Sequence, residues 1–125
     1  MNTIFFWILR LIPAIILLQT LFFKFTGAPE AVFIFTQIGV EPWGRYALGV
    51  LELLVSISFL VRRWVAVGAF LGVVMMIGAL LAHFTFLGID VQGDHGLLFG
   101  MAWIVLMSCA ILLYTQRKEL PLVKL

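Results

Sequence analysis

The segment WVAVGAFLGVVMMIGALLAHFTFL, residues 64–87, contains no Asp, Glu, Lys or Arg. An α-helix rises about 1.5 Å per residue and a bilayer's hydrocarbon layer is about 30 Å thick, so about 20 apolar residues are enough to cross it. This segment exceeds that length. It therefore predicts a membrane-spanning helix.

Three more apolar segments reach spanning length, at residues 3–25, 42–61 and 95–115. The chain is 64% hydrophobic and only 11% charged, with a mean hydropathy of +1.19, whereas a soluble domain carries about 25% charged residues. The first segment lacks a preceding basic stretch and a convincing cleavage site, so we expect a mature helix rather than a signal peptide. Together these features predict one all-α domain over residues 1–125, an integral membrane four-helix bundle.

Basic residues concentrate in two of the connections, and short loops rich in Lys and Arg tend to remain in the cytoplasm. The link between the second and third spans is Arg62-Arg63, and the tail has three bases against one acid: Arg117, Lys118, Lys124 and Glu119. The other connections hold the acids that suit the outer side: Glu30, Glu41, Asp90 and Asp94. We therefore expect both termini in the cytoplasm. No nucleic-acid partner is expected, because the basic residues lie at membrane edges rather than on one patch.

A short helix is predicted between the first two spans, at residues 29–38. Pro29 suits a first helical position, Glu30 the positive end of the helix dipole, and Gly39 a C-terminal stop. At roughly 15 Å it is too short to span, so it is expected to be interfacial or re-entrant. Two interpretations stay open: a lid over the outer mouth of the bundle, or an amphipathic connector.

Small and polar residues at helical spacing predict the faces on which the spans meet. The third span has a Gly68-x-x-x-Gly72 pair, which allows close backbone approach and by default indicates packing. The three predicted inward faces, in chain order, are Arg45, Gly49, Glu52 and Ser56; Gly68, Gly72, Ala79 and His83; and Gly96, Gly100, Trp103, Met107 and Ala110.

Two ionisable residues fall deep within the spans, where a charge is costly and indicates a partner or a site. Counted at about 1.5 Å per residue from the predicted span ends, Arg10 and Glu52 lie within roughly 5 Å of the same depth. We predict that they form a buried ion pair. Either the pair only fixes helix register, or Glu52 holds a proton or hydrogen-bonds a ligand inside the bundle.

A second polar group gathers near the outer face and predicts a pocket mouth there: Gln19, Thr20, Lys24, His83, Asp94 and His95. His83 is expected to hydrogen-bond Glu52, Gln19 or a ligand, or else to be a packing histidine. Asp94 precedes the fourth span and is predicted first of all to be its N-cap. No metal site is expected, since no H-x-x-x-H or H-E-x-x-H pattern is present.

The single cysteine, Cys109, excludes an internal dithiol–disulfide cycle, which needs a pair. The sequence also lacks a histidine pairing within one span for haem, a glycine-rich phosphate loop and a nucleophile elbow. Whether the protein is an enzyme stays open. Difficult chemistry would need a cofactor or substrate from elsewhere.

The chain resembles the DoxX family of small four-helix membrane proteins along nearly its whole length. The residues that carry the resemblance are Arg10, the run Leu21–Glu30, Gly39-x-Glu41-Pro-Trp-Gly-Arg45, Gly49-x-x-Glu52, Gly78-Ala79 with His83, and Leu87-Gly-Ile-x-Val-Gln-Gly-Asp94. The resemblance implies a four-helix bundle in the bacterial inner membrane. Relatives are linked to thiosulfate:quinone oxidoreductase as a small membrane subunit, to quinone and oxidative-stress responses, and to complexes with soluble redox enzymes.

The resemblance implies an accessory membrane subunit in redox or quinone-linked metabolism, with a redox-enzyme partner. The residues expected to line a site for a quinone or prenyl lipid, or to carry a proton, are Glu52, His83, Arg10, Lys24 and Gln19. A small proton-coupled transporter of an amphipathic or cationic substrate is the second hypothesis, and it predicts an unpaired Glu52. The third is a non-catalytic assembly or scaffold protein. A homodimer through a glycine-containing face is compatible with all three.

Overall fold

The structure is a computed structural model that describes residues 2–119. Within that range the chain forms five α-helices: α1 (Thr3–Thr26), α2 (Pro29–Ile38), α3 (Trp43–Leu60), α4 (Val65–Ala82) and α5 (Leu97–Thr115). A 3-10 turn (Arg62–Trp64) and a π-helical turn (His83–Leu87) flank α4, and a 3-10 turn (Arg117–Glu119) follows α5.

Four of these helical segments are long and apolar enough to cross a membrane: α1, α3, the continuous segment Arg62–Leu87 that contains α4, and α5. Large apolar side chains are exposed on all four, which suits contact with lipid: examples are Ile15, Leu54, Val74 and Ile104. The predicted all-helical, four-helix membrane bundle is confirmed. The chain is a multi-pass membrane protein.

The four long helices form a ring in the order α1, α3, α4, α5, and α5 closes the ring against α1. Short connections make neighbouring helices antiparallel. Residues 2 and 119 therefore lie at one end of the bundle, which we call the terminal end. At the opposite end, called the α2 end, α2 packs against α3 and against the π-helical turn after α4.

Glycines allow the third span to pack closely on both neighbours. An added Cβ on Gly72 would lie 2.6 Å from Cys109 Sγ on α5, and one on Gly68 would collide with Ser58 on α3. The short helix begins with Pro29 in its first turn and ends at Gly39, whose φ of +90° is left-handed. The inward faces predicted for the second and third spans are largely buried, with only Ala79 half-buried.

The inward face predicted for the fourth span is wrong. Trp103 and Met107 are 41% and 54% exposed, respectively, and point away from the bundle. The buried face of α5 is formed by Ala102, Val105, Ser108, Cys109 and Leu112. Nearly every side chain of this helix is apolar, so its hydrophobic pattern does not distinguish the side that meets protein from the side that meets lipid.

Candidate functional site

The most concentrated buried polar contacts join α1 to α3 near the α2 end. Glu52 of α3 is only 3% exposed. Its Oε1 lies 2.8 Å from Lys24 Nζ, and its Oε2 accepts a hydrogen bond of 2.6 Å from the Thr20 hydroxyl. Thr20 and Lys24 are one helical turn apart on α1 and so share a face. We call these three residues the Glu52 cluster.

The two oxygens of Glu52 are held differently. Oε2 has an aligned donor in Thr20, whereas Oε1 is buried without an aligned hydrogen-bond donor, although Lys24 Nζ is close. The distance identifies an ion pair, because Coulomb attraction depends on separation rather than on N–H direction. Thr20 therefore satisfies one carboxylate oxygen, and the Lys24 ammonium neutralises the other.

Arg45 anchors the backbone beside this cluster. Its side chain is 5% exposed, and its Nε donates to both carboxylate oxygens of Glu41, at 2.9 and 3.1 Å. Its Nη1 donates to the main-chain carbonyl of Lys24 in the last turn of α1, where carbonyls lack helical partners. Arg45 therefore holds the backbone of Lys24, while Glu52 holds the end of its side chain.

The predicted ion pair between Arg10 and Glu52 is wrong. Arg10 is 2% exposed, and its Nε donates to the carbonyl of Phe59 at 2.6 Å. Phe59 lies seven residues after Glu52, roughly 10 Å along α3. The error has a geometric cause: helical side chains lean toward the N-terminus of their own helix. This carries Arg10 toward the terminal end and away from Glu52, while Lys24 leans down from the α2 end to meet it.

Two other candidate residues do not join the Glu52 cluster. Gln19 is exposed on the outside of the bundle, unlike its neighbour Thr20. His83 is 3% exposed, but its Nδ1 lies 2.8 Å from the carbonyl of Gly88 and its ring packs edge-on against Phe99. Since a carbonyl only accepts, Nδ1 carries a proton and donates to it.

Asp94 binds the backbone at the start of α5. Its carboxylate accepts N–H groups from Val91 (3.0 Å), Gly96 (2.8 Å) and Leu98 (3.1 Å). Burial opposes the charge, but these three donors, together with the nearby His83, hold the pKa of Asp94 below its usual range. The N-cap position itself is Gly96, so Asp94 caps from two residues farther out. His95 is exposed.

Two cavities of the structure lie away from the Glu52 cluster. One, of about 530 Å³, is at the terminal end beside Arg10, and the other, of about 250 Å³, is between α3 and α4 on the flank of the bundle. Neither is lined by Glu52 or His83. Within residues 2–119, no three His, Cys, Asp or Glu side chains are grouped to hold a metal ion.

Sequence reasoning did not assign roles to two residues that complete this arrangement. Thr20 lies four residues before Lys24 on α1, and such spacing places side chains together on one helix face. Glu41 lies in the turn before α3 and pairs with Arg45 in the first turn of that helix. The first pattern would have indicated that Lys24 and Thr20 approach a common partner. The contact from Arg45 to the Lys24 carbonyl has no such local signal, because it joins residues 21 positions apart.

No family model, curated protein or solved structure matches this chain.

Proposed function

We propose that this protein is a DoxX-like accessory subunit of redox or quinone-linked metabolism in the bacterial inner membrane, with both termini in the cytoplasm. The Glu52 cluster is the part that meets the head group of a quinone or related prenyl lipid. The observation that carries the proposal is the buried contact of 2.8 Å between the Glu52 carboxylate and the Lys24 ammonium, which holds a hydrogen-bond acceptor and a donor side by side inside the bundle.

The chemistry of the cluster supports a quinone-like head group. A quinone carbonyl accepts hydrogen bonds, and Lys24 is a donor with three N–H groups. The hydroxyl of a reduced quinol donates, and the Glu52 carboxylate is an acceptor. The same pair of side chains therefore offers a contact to each redox form.

A partner has to supply the electron transfer in this proposal. The chain has one cysteine, and it is buried in α5. A dithiol cycle needs two. We therefore place the electron donor or acceptor in a soluble redox enzyme that docks on the membrane subunit, and assign to this chain the binding and positioning of the lipid.

The contacts of Glu52 bear on the two alternatives. Proton-coupled transport predicted an unpaired Glu52, whereas Lys24 pairs with it, so transport is not the preferred proposal. A scaffold role has a specific observation in its favour: the contacts of Lys24, Glu52, Arg45 and Arg10 all join α1 to α3, as expected if they only hold the bundle together. This is the second candidate function.

The test is native mass spectrometry with lipid extraction on mildly purified protein. We compare wild type with Glu52→Gln, which keeps the shape of the side chain but removes its charge, and with His83→Ala. Glu30→Gln is the matched control, because Glu30 is an exposed carboxylate at the same end. We expect a stoichiometric quinone in wild type and in the control, and its loss from Glu52→Gln.

Retention of quinone by His83→Ala would confine the site to the Glu52 cluster, whereas loss from both variants would extend it across the α2 end. If wild type carries no quinone or prenyl lipid, or if Glu52→Gln retains it fully, the redox-subunit proposal is overturned. The scaffold function then becomes the preferred one.

A further inference from the structure

A polar cavity opens at the terminal end, on the opposite side of the bundle from the Glu52 cluster. It has a volume of about 530 Å³ and lies between the start of α1, the end of α3 and the residues after α5. Its polar lining is formed by Arg10, Arg62, Thr3 and Gln116, and its aromatic lining by Phe6 and Trp7.

Arg10 is a buried charge with unused donors. Its side chain is 98% buried in terms of accessible surface, its Nε is satisfied by the Phe59 carbonyl, and its guanidinium carbon lies 3.8 Å from the centre of the Trp7 ring. A guanidinium carries five N–H donors, so four remain on the η nitrogens. Among the side chains and backbone groups that the structure describes, a set that does not include the side chain of Glu119, no acceptor binds them, and the Arg10 side chain lines the cavity.

A second guanidinium faces the same space. The guanidinium carbon of Arg62 lies 5.1 Å from the centre of the Phe6 ring, and that of Arg10 lies 5.0 Å from it, so one aromatic ring carries two cations. None of the described residues that line the cavity is acidic. Like charges that share one cavity repel each other, and a bound anion relieves that repulsion.

We propose that this cavity binds the phosphate head group of an anionic membrane lipid. Arg10 donates from the floor of the cavity and Arg62 from its rim. Their planar forks match phosphate oxygens, and basic pockets at the ends of membrane helices bind anionic head groups. A lipid fits better than a soluble phosphate because two of the residues that line the cavity, Trp7 and Leu60, are large apolar side chains that are also 41% and 50% exposed on spanning helices, where acyl chains lie. This site does not depend on the function proposed for the Glu52 cluster.

The chain contains its own control for the test. Arg62 and Arg63 are adjacent and both exposed, but Arg63 lies over Trp64, at 5.6 Å from the ring centre, and does not line the cavity. Arg62→Gln and Arg63→Gln therefore remove the same charge at nearly the same depth. Since Arg62 is exposed, its replacement leaves the bundle core untouched, unlike replacement of Arg10.

The experiment measures binding of phosphatidylglycerol and phosphatidylcholine to the full chain in detergent, by native mass spectrometry. We expect wild type and Arg63→Gln to prefer phosphatidylglycerol equally, and Arg62→Gln to bind it about fivefold more weakly, from roughly the free energy of one basic side chain near an anionic surface. Binding of phosphatidylcholine is expected to be the same in all three.

Two results overturn the proposal. Equal losses in Arg62→Gln and Arg63→Gln would show a nonspecific charge effect rather than a site. Displacement of phosphatidylglycerol by millimolar inorganic phosphate, with phosphate itself retained on the protein, would show a site for free phosphate and reject the lipid. Persistence of the lipid in the presence of phosphate supports it, as does a stronger loss in Arg10→Lys, which keeps the charge but loses the fork.

Discussion

The interface between α1 and α3 has a similar arginine contact near each of its two ends, but the charges that surround the two arginines differ. Near each end an arginine on one helix donates to a last-turn carbonyl of the other: Arg45 of α3 to Lys24, and Arg10 of α1 to Phe59. Because the helices are antiparallel, the two contacts are reciprocal. At the α2 end Glu41 neutralises the arginine, whereas at the terminal end no described residue lining the cavity is acidic.

This difference separates a region whose buried charges are paired from one whose charges share a cavity without an acidic partner among the described residues. At the α2 end every buried cation has a carboxylate within ion-pair distance, and neither described cavity reaches the cluster. At the terminal end two guanidinium groups share a cavity. Opposite charges in an ion pair attract each other and draw helices together, whereas buried cations without an acidic partner need water or a bound anion to solvate them. The same capping contact therefore lies among paired charges at one end and beside a cavity with unpaired cations at the other.

The largest effect on stability is expected from removing one partner of the buried ion pair at the α2 end. Lys24→Met leaves Glu52 buried beside a single hydroxyl donor, Thr20. Removing one partner of a buried ion pair costs about 3–5 kcal/mol, because the remaining charge is uncompensated. We expect the free energy of unfolding, measured by denaturant titration in micelles, to fall by that amount.

The double variant Lys24→Met, Glu52→Met is the control for this prediction. It removes both charges together, and we expect it to recover most of the loss, since apolar replacement of a whole buried pair is often neutral. A double variant as unstable as Lys24→Met alone would contradict the ion-pair explanation. If the double variant is stable and the cellular function is intact, the scaffold hypothesis gains over the lipid-binding one.

A smaller effect is expected at the terminal end. Arg10→Met leaves the Phe59 carbonyl without its donor, but it leaves no buried charge, because no acidic partner of Arg10 is found among the described residues. A hydrogen bond from a charged group is worth about 1.5–3 kcal/mol, so we expect a loss in that range, below that of Lys24→Met. The same unfolding titration, in detergent without added lipid, ranks the two variants. A larger loss for Arg10→Met would indicate an acidic partner and break the contrast between the two ends.

The fold was predictable from the sequence because each of the four spans is both long enough and apolar enough to cross a bilayer. The short helix was predictable because Pro29 and Gly39 mark its ends by local backbone chemistry. The face of α5 was not, since apolar side chains surround that helix. Counting residues from the span ends placed the backbones of Arg10 and Glu52 at a similar depth in the membrane. The count ignored that helical side chains tilt toward the N-terminus of their own helix, and this tilt makes Lys24 the partner of Glu52. The contacts that join helices across long sequence separations left no local signal.

The next prediction concerns the close packing of α1 against α3 at the α2 end. Gly49 lies one helical turn before Glu52 on α3, and an added Cβ there would lie 2.7 Å from the ring of Phe25 on α1. At Gly100 on α5, an added Cβ would meet nothing within 4 Å. Gly49→Ala is expected to cost about 1–2 kcal/mol, since overpacking outweighs the gain in helix propensity. Gly100→Ala, with the same change in propensity, is expected to be neutral or stabilising. Equal unfolding free energies for the two variants would show that the α2 end of this interface is loosely packed.

The smallest effect concerns Asp94, whose charge is met by backbone N–H groups rather than by a cation in ion-pair contact. Its folded pKa lies below its usual range, so its stabilising contribution is present above the unfolded pKa of about 3.9 and disappears as the pH falls through the folded value. Asp94→Asn keeps the shape but weakens the acceptor, and we expect a loss of about 1 kcal/mol at pH 7, typical of a helix-capping side chain. In denaturant titrations at decreasing pH, the difference between wild type and variant should be constant well above the unfolded pKa of about 3.9 and should narrow progressively as the pH falls below it. A difference that does not change with pH would mean that Asp94 acts through shape rather than charge. Backbone N–H groups would then not stabilise this carboxylate in the way that Arg45 and Lys24 stabilise Glu41 and Glu52.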